Sequence, residues 1–270
     1  MQDHTDNNTR FISGLVAPTI FVIARPTVDW NGVDAFEKQE AKWRRDPHAT
    51  HADHLVELAG RVCYLSFGER QSRKSNDEYI ANLIEHGHES VLEHVSWTLI
   101  LTGVSRAFTH QLVRHRVGFS FSQLSQQYHT EEAARFIEPS SVSSDPRRQL
   151  VWRDAILRAH AAYLAFIADE DRTSTKLEDL PARESQRAHR SAARSLLPAA
   201  TETKIAITAN ARAIRYFLSQ RGGIEGDEEM RVVSARLLDI VQDDAPAVFA
   251  DFAVERMADG SPIVRRVGLP

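Results

Sequence analysis

The feature that most limits the fold is the way apolar residues repeat along the chain. Val95, Trp97, Leu99 and Leu101 alternate with Ser96 and Thr98, a period-two strand pattern that Gly103 closes. Thr19 to Ile23 is a short β-branched run, and Thr203 to Ala209 is a further candidate strand. Between them lie helical patterns. Residues 51–64 carry Leu55, Leu58, Ala59 and Val62 at helical spacing. Ser75 with Glu78 makes a capping box ahead of Ile80, Leu83 and Ile84, and Gly87 is a stop. Ser105 can cap a helix running through Phe108 and Leu112 to Arg114. Segments 148–169 and 183–197 read as helices, Asn210 opens another that Gly222 and Gly223 end, and two more fill 226–257. Ser66 to Lys74 reads as loop, and 117–128 as a mobile loop rich in hydroxyls and amides. Few strands, no βαβ alternation and no Gly-rich dinucleotide loop define an α+β class: an antiparallel sheet packed by helices.

A length of 270 residues suits one domain across the whole chain, with 1–10 and about 258–270 as flexible tails. A net charge of -4 argues against a polymeric nucleic-acid partner. Cys63 is the single cysteine, so no internal disulfide and no Cys-rich metal site can form; it reads as a small buried residue. No apolar run reaches membrane-spanning length, and the start lacks a signal-peptide pattern. The expectation is a soluble cytoplasmic protein.

Three constellations could carry chemistry. Arg114-His115-Arg116 places cations at a helix end, which the helix dipole alone would favour. Behind it, Ser120, Ser122, Gln123, Ser125, Gln126 and Gln127 offer neutral donors and acceptors. Fixed cations beside neutral donors suit a phosphorylated heteroaromatic ligand. His86, His88, Glu89, Glu93 and His94 form a second group, either a solvated helix terminus or, as an alternative, the metal site of a phosphohydrolase. The third is Asn210-Ala211-Arg212 with Arg215 and Arg221, where Asn210 can also serve as a helix cap. Arg194 enters the apolar step Ser195-Leu196-Leu197-Pro198, so a buried guanidinium there needs a partner.

Together and in this order, these blocks resemble the flavin-dependent thymidylate synthases (ThyX). The signature is Arg114-His115-Arg116, a short spacer and Ser125, with Gln111 three residues upstream of Arg114. Glu85-His86-Gly87-His88-Glu89-Ser90, Arg194-Ser195-Leu196-Leu197-Pro198, Asn210-Ala211-Arg212 and Arg221 resemble the flanking blocks, over roughly residues 55–240. The resemblance implies a ThyX-like fold, and a homotetramer with active sites shared between subunits. It implies FAD as cofactor, NADPH as reductant, 5,10-methylenetetrahydrofolate as carbon donor and dUMP as acceptor. Carried over by position, His88, Ser90, Arg114, His115, Arg116, Gln123, Asn210, Arg212 and Tyr216 line the flavin. Gln111, Arg114, Ser125, Gln126, Gln127, Arg194 and Arg221 face the nucleotide, and Arg221 is the catalytic group that polarises uracil. No resident metal is implied.

Three departures from the family pattern gather on the nucleotide side. The spacer from Arg116 to Ser125 is one residue longer than usual, Gln127 replaces a phosphate-binding arginine, and Gly222-Gly223-Ile224-Glu225-Gly226-Asp227 replaces a His-Ala-Gln stretch before Glu229. The flavin blocks are mostly kept. The expectation is retained flavin chemistry with a changed or broadened acceptor, UMP being the simplest, as in a branch that makes 5-methyluridine units for nucleoside antibiotics. A non-catalytic nucleotide-binding relative is the other alternative.

Overall fold

A computed structural model describes residues 12–14, 18–40, 42–72, 75–169 and 181–268. The tail expected over 1–10 and the end of the 66–74 loop lie outside the described residues. In chain order the elements are β1 (Ile12–Gly14), β2 (Thr19–Ala24), α1 (Trp30–Gln39), α2 (His51–Tyr64) and α3 (Asn76–Glu85). Then follow β3 (Ser96–Ser105), α4 (Arg106–Leu112), β4 (Phe119–Gln123), β5 (Phe136–Glu138), α5 (Ser140–Ser143), α6 (Pro146–Ala168) and α7 (Ala182–Ala193). The chain continues through β6 (Glu202–Asn210), α8 (Ala211–Phe217), a π-helical turn Leu218–Gly222, α9 (Glu228–Asp244), β7 (Phe252–Arg256) and β8 (Pro262–Arg266).

Two compact units form. The first is drawn from Met1–Thr19, Leu101–Arg114 and Ser122–Ile205, the second from Ile20–Ile100, His115–Phe121 and Ala206–Pro270. The expected antiparallel sheet is present, with strand order β2-β3-β6-β4. In the second unit Trp97, Leu99 and Ile207 face inward, while Thr98 and Thr208 pair their hydroxyls at 2.9 Å on the opposite face. A smaller core joins Val28, Val33, Trp43 and Phe67, with Leu55 and Leu58 packed against it. In the first unit, β1 pairs in parallel with β5, and Ala134, Phe136 and Ile156 form the core with Trp152 and Ala200.

The caps read from sequence are in place. Ser75 accepts from Glu78 N at 3.2 Å and Ser105 from Phe108 N at 3.0 Å. At the end of α3, His88 N reaches Leu83 O at 2.8 Å and Gly87 N reaches Ile84 O at 3.1 Å, a Schellman closure.

Several expectations are corrected. The face that α2 buries is Asp53, Val56, Glu57, Gly60 and Arg61, while Val62 is 48 % exposed and Cys63 is exposed rather than buried. The polar face is tolerated because its partners are internal. Glu57 accepts from Arg61 Nε at 2.6 Å, Asn76 Nδ2 at 2.8 Å and Trp43 Nε1 at 3.2 Å. β3 runs on through Gly103, whose φ of +68° lets the strand bend without ending. The 117–128 segment contains strand β4, its Phe119 and Phe121 rings stacked 5.6 Å apart. Polar composition hid the alternation of Phe119, Phe121 and Gln123 with Ser120 and Ser122. One helix, α9, and strand β7 replace the two helices expected over 226–257, since Pro246 cannot continue a helix begun at Glu228. Residues 262–266, read from sequence as part of a tail, form β8 with Ile263 and Val264 buried.

Candidate functional site

In the second unit, the chain turns at Arg116-Val117-Gly118-Phe119. Phe119 N reaches Arg116 O at 3.5 Å, and Gly118 has φ +73°. A Cβ at Gly118 would lie 2.7 Å from Ala213 Cβ and 2.8 Å from the Asn210 amide, so only glycine fits. Asn210 N donates to Gly118 O at 3.1 Å. The Asn210 side chain accepts from Ala213 N at 2.8 Å, capping α8. The turn is therefore fastened to the start of α8, with Val117 87 % exposed at its tip.

At the other end of α8 the π-helical turn carries Arg221. A widened turn rotates its side chains away from the regular helical direction and often marks a functional position. Arg221 Nε donates to His115 Nε2 at 3.1 Å. Guanidinium has donors only, so Nε2 is the acceptor and the ring proton sits on Nδ1. The His115 ring meets Phe217 edge-on at 5.2 Å and Tyr216 at 5.9 Å. Burial first, and then the Arg221 charge, push the His115 pKa below its ordinary value.

The same unit holds the upstream block. Arg212 pairs with Glu93 at 2.6 Å and Glu89 at 3.8 Å. His88 Nδ1 and Tyr64 Oη lie 3.0 Å apart, and their rings stack at 5.8 Å. Ser90 is exposed on a 3₁₀ turn, and Tyr216 is exposed on α8. Arg116 is exposed and forms no ion pair with a described residue. Among the described residues no three His, Cys, Asp or Glu side chains are placed to hold a metal ion. Glu89 and Glu93 are directed at Arg212 instead.

The remaining expected residues lie in the first unit. Arg114 is exposed and Gln111 half-buried. Gln123 Nε2 donates to Thr109 at 3.0 Å and Thr203 at 3.3 Å. Gln126 is buried, its Nε2 on Glu131 at 3.2 Å. Ser125 Oγ accepts from Gln127 N at 3.3 Å. Gln127 sits against α7, donating to Ser191 at 3.3 Å and accepting from Arg187 Nε at 3.3 Å. Arg194 is only half-buried, and Leu196 is 38 % exposed, so the apolar step expected to bury that arginine does not.

Sequence reasoning missed Arg106. Its Nη1 is buried with no hydrogen-bond partner among the described residues. Burial and the nearby charge of Arg194 lower its pKa, and Glu131 opposes them. A signal existed: Arg106 is the first residue of α4, where the helix dipole disfavours a cation. Arg187 and Tyr64 were also missed, since only the fold puts them beside Gln127 and His88.

These coordinates of charge define a class: an α+β protein presenting guanidinium, imidazole, phenol and amide groups in concert, with no helix among the described residues long and apolar enough to cross a membrane. Residues 47–247 match the sequence model of the family described as thymidylate synthase complementing protein. The chain is 38% identical over 250 residues to a flavin-dependent thymidylate synthase of Mycobacteroides abscessus, covering 92% of each chain. It is 41% identical to that of Mycobacterium avium over 222 residues, 80% of this chain and 87% of the relative. It is 39% identical to that of Corynebacterium diphtheriae over 221 residues, 81% of this chain and 86% of the relative. The chain belongs to this family, as its motifs implied.

Proposed function

We propose that this chain methylates C5 of a uracil mononucleotide, dUMP or UMP, with 5,10-methylenetetrahydrofolate as carbon donor, NADPH as reductant and FAD as cofactor. The observation that carries this reading is the 3.1 Å contact between Arg221 and His115. It joins the Arg-His-Arg motif to a segment far along the chain, as one site built from both segments requires.

The residues present suit a flavin. Tyr216, His88 and Tyr64 offer flat rings at the surface, and Arg116 beside His115 is a fixed cation that no described carboxylate neutralises. When bound, the flavin supplies the two-electron chemistry. Arg221 uses the guanidinium N–H groups that His115 leaves free to stabilise negative charge at uracil N3 and the adjacent carbonyl, which raises electron density at C5. His88, Ser90, Arg114, Gln123, Asn210 and Arg212 complete the flavin set.

Gln111, Arg114, Ser125, Gln126, Gln127 and Arg194 serve the nucleotide. Gln126 gives one Nε2 hydrogen to Glu131, which leaves its carbonyl oxygen and second N–H for the nucleotide. Arg187, in contact with Gln127, supplies the positive charge that Gln127 lacks. The turn at Val117-Gly118, with Val117 exposed at its tip, is where a 2′-hydroxyl would be tolerated, and use of UMP would fit the branch serving nucleoside antibiotics. Assembly as a homotetramer with shared sites is part of the same reading. Phe21 and Ile23, exposed on the edge strand β2, support a self-association surface.

The test is product formation from dUMP and from UMP separately, with FAD, NADPH and methylenetetrahydrofolate. A 5-methyl product from either supports the reading. Product from dUMP alone removes the ribonucleotide part, and product from neither overturns the whole.

A further inference from the structure

We propose that His115 is a positioning residue: its neutral imidazole, accepting through Nε2, aims the Arg221 guanidinium, and protonation of the ring releases it. The inference deepens the proposed function and rests on it for the role of Arg221. Its geometric basis is independent of any ligand.

A guanidinium on a π-helical turn has several rotatable bonds, and its direction must be set by something outside the turn. Among the described residues, the single side-chain acceptor for Arg221 is His115 Nε2, at 3.1 Å. The imidazole is itself held by packing. Phe217 meets it edge-on at 5.2 Å and 81°, Tyr216 at 5.9 Å and 62°, and Phe119 lies at 6.3 Å. A ring so held presents one fixed lone pair. Arg221 takes it through Nε, leaving its terminal nitrogens to point elsewhere.

Protonation converts that acceptor into a donor facing a cation. The groups that face His115 offer the imidazolium no relief. From the π-helical turn there is Arg221, from α8 the neutral phenol of Tyr216 and the hydrocarbon of Phe217, from β4 Phe119, and along its own segment the cations Arg114 and Arg116. No carboxylate among the described residues pairs with it. The two states of the ring therefore correspond to an aimed and a released guanidinium, with the aimed state present above the imidazole pKa.

The experiment has two readouts. The first is the tautomer of His115 in the protein alone, from ring nitrogen NMR of the wild type and of Arg221→Gln. Expected is a neutral ring with its proton on Nδ1, and a shift of the Nε2 signal when Arg221 is replaced. A proton on Nε2 in the wild type would overturn the inference. The second is dUMP affinity against pH for the wild type, His115→Ala and His115→Gln. Glutamine can place an amide oxygen near the Nε2 position and does not titrate. His115→Ala should weaken binding roughly 10-fold, and His115→Gln should recover most of that loss. The nucleotide phosphate titrates alike in every arm, so the wild type alone should lose extra affinity as pH falls through the depressed imidazole range. Equal defects in both variants, or an identical pH profile in His115→Gln and wild type, would overturn it. If no form binds dUMP, the functional reading fails while the tautomer still decides the positioning role.

Discussion

The two units differ in how some of their arginines are held. In the second, Arg61 is buried against Glu57, and Arg215 is gripped by Asp251 at 2.5 and 2.8 Å, with Arg266 on the same carboxylate at 2.7 Å. Arg212 and Arg221 likewise have protein partners in Glu93 and His115. In the first, Arg135 and Arg153 also pair with Glu202 and Glu138, but Arg106 keeps a buried Nη1 with no hydrogen-bond partner among the described residues, its pKa lowered by burial, raised by the charge of Glu131 and lowered by that of Arg194. The second unit thus holds Arg61, Arg212, Arg215 and Arg221 in fixed directions, while Arg116 forms no ion pair with a described residue. The first leaves one guanidinium nitrogen of Arg106 unpaired among the described residues, a condition in which an arriving anion gains much. Preorganised cations and an unmet donor are two starting points for recognising an anion.

The largest test of that contrast removes a buried partner from the second unit. Asp251→Ala strands Arg215, which is buried, and should cost ~3–5 kcal/mol in denaturant unfolding. A loss below about 1 kcal/mol would mean that the cation is not held as described. The Arg215 and Arg266 hydrogen bonds keep the Asp251 carboxyl below its usual range despite burial. Its contribution is therefore present above the unfolded carboxylate pKa and lost as pH falls through the folded value.

Asp53 should show the opposite sign. Burial pushes its carboxyl up to about 6. The folded state holds this proton more tightly than the unfolded chain does, so stability is full at low pH and declines as pH rises through about 6. The decline amounts to ~3 kcal/mol. Unfolding free energies of the wild type and Asp53→Asn from pH 4 to pH 8 check this, and the variant should lack the decline. A parallel pH dependence in both would remove Asp53 as its source.

In the first unit, Arg106→Gln and Arg194→Gln should each weaken uracil nucleotide binding by ~1.5–3 kcal/mol in calorimetry. Because Arg106→Gln also removes a partly buried charge, its thermal stability should hold or rise slightly. A variant that loses stability but keeps nucleotide affinity would reverse the contrast between the units. The smallest effect falls on Arg187, which is partly exposed and screened. Arg187→Gln should cost ~0.2–1 kcal/mol of nucleotide affinity, and Gln127→Arg in that background should restore it.

Much of the fold was legible because local signals and tertiary structure agree. Ser75, Ser105 and Asn210 each cap the helix their side-chain chemistry foretold. What was hidden depends on distant partners. The face of α2 bearing Glu57 and Arg61 looks solvent-facing until Trp43, Asn76 and Tyr79 are known to cover it. Val62 and Cys63 were misjudged for the same reason: apolar character does not reveal which side of a helix finds a neighbour. The motif residues His115 and Arg221 were legible individually, but their hydrogen bond was not. No periodicity indicates that Leu218–Gly222 widens into a π turn. Arg106 shows what was overlooked, since a cation at the start of a helix is itself a sign of a specific partner.

The central claim is that the aromatic and cationic groups of the second unit hold a flavin beside a uracil nucleotide. Its most direct test is the visible spectrum of the protein after incubation with FAD and gel filtration, before and after addition of dUMP. Flavin bands should co-elute with the protein and shift on adding the nucleotide, and Arg221→Ala should abolish the shift. Flavin that separates from the wild-type protein, or bands indifferent to both dUMP and UMP, would contradict the claim.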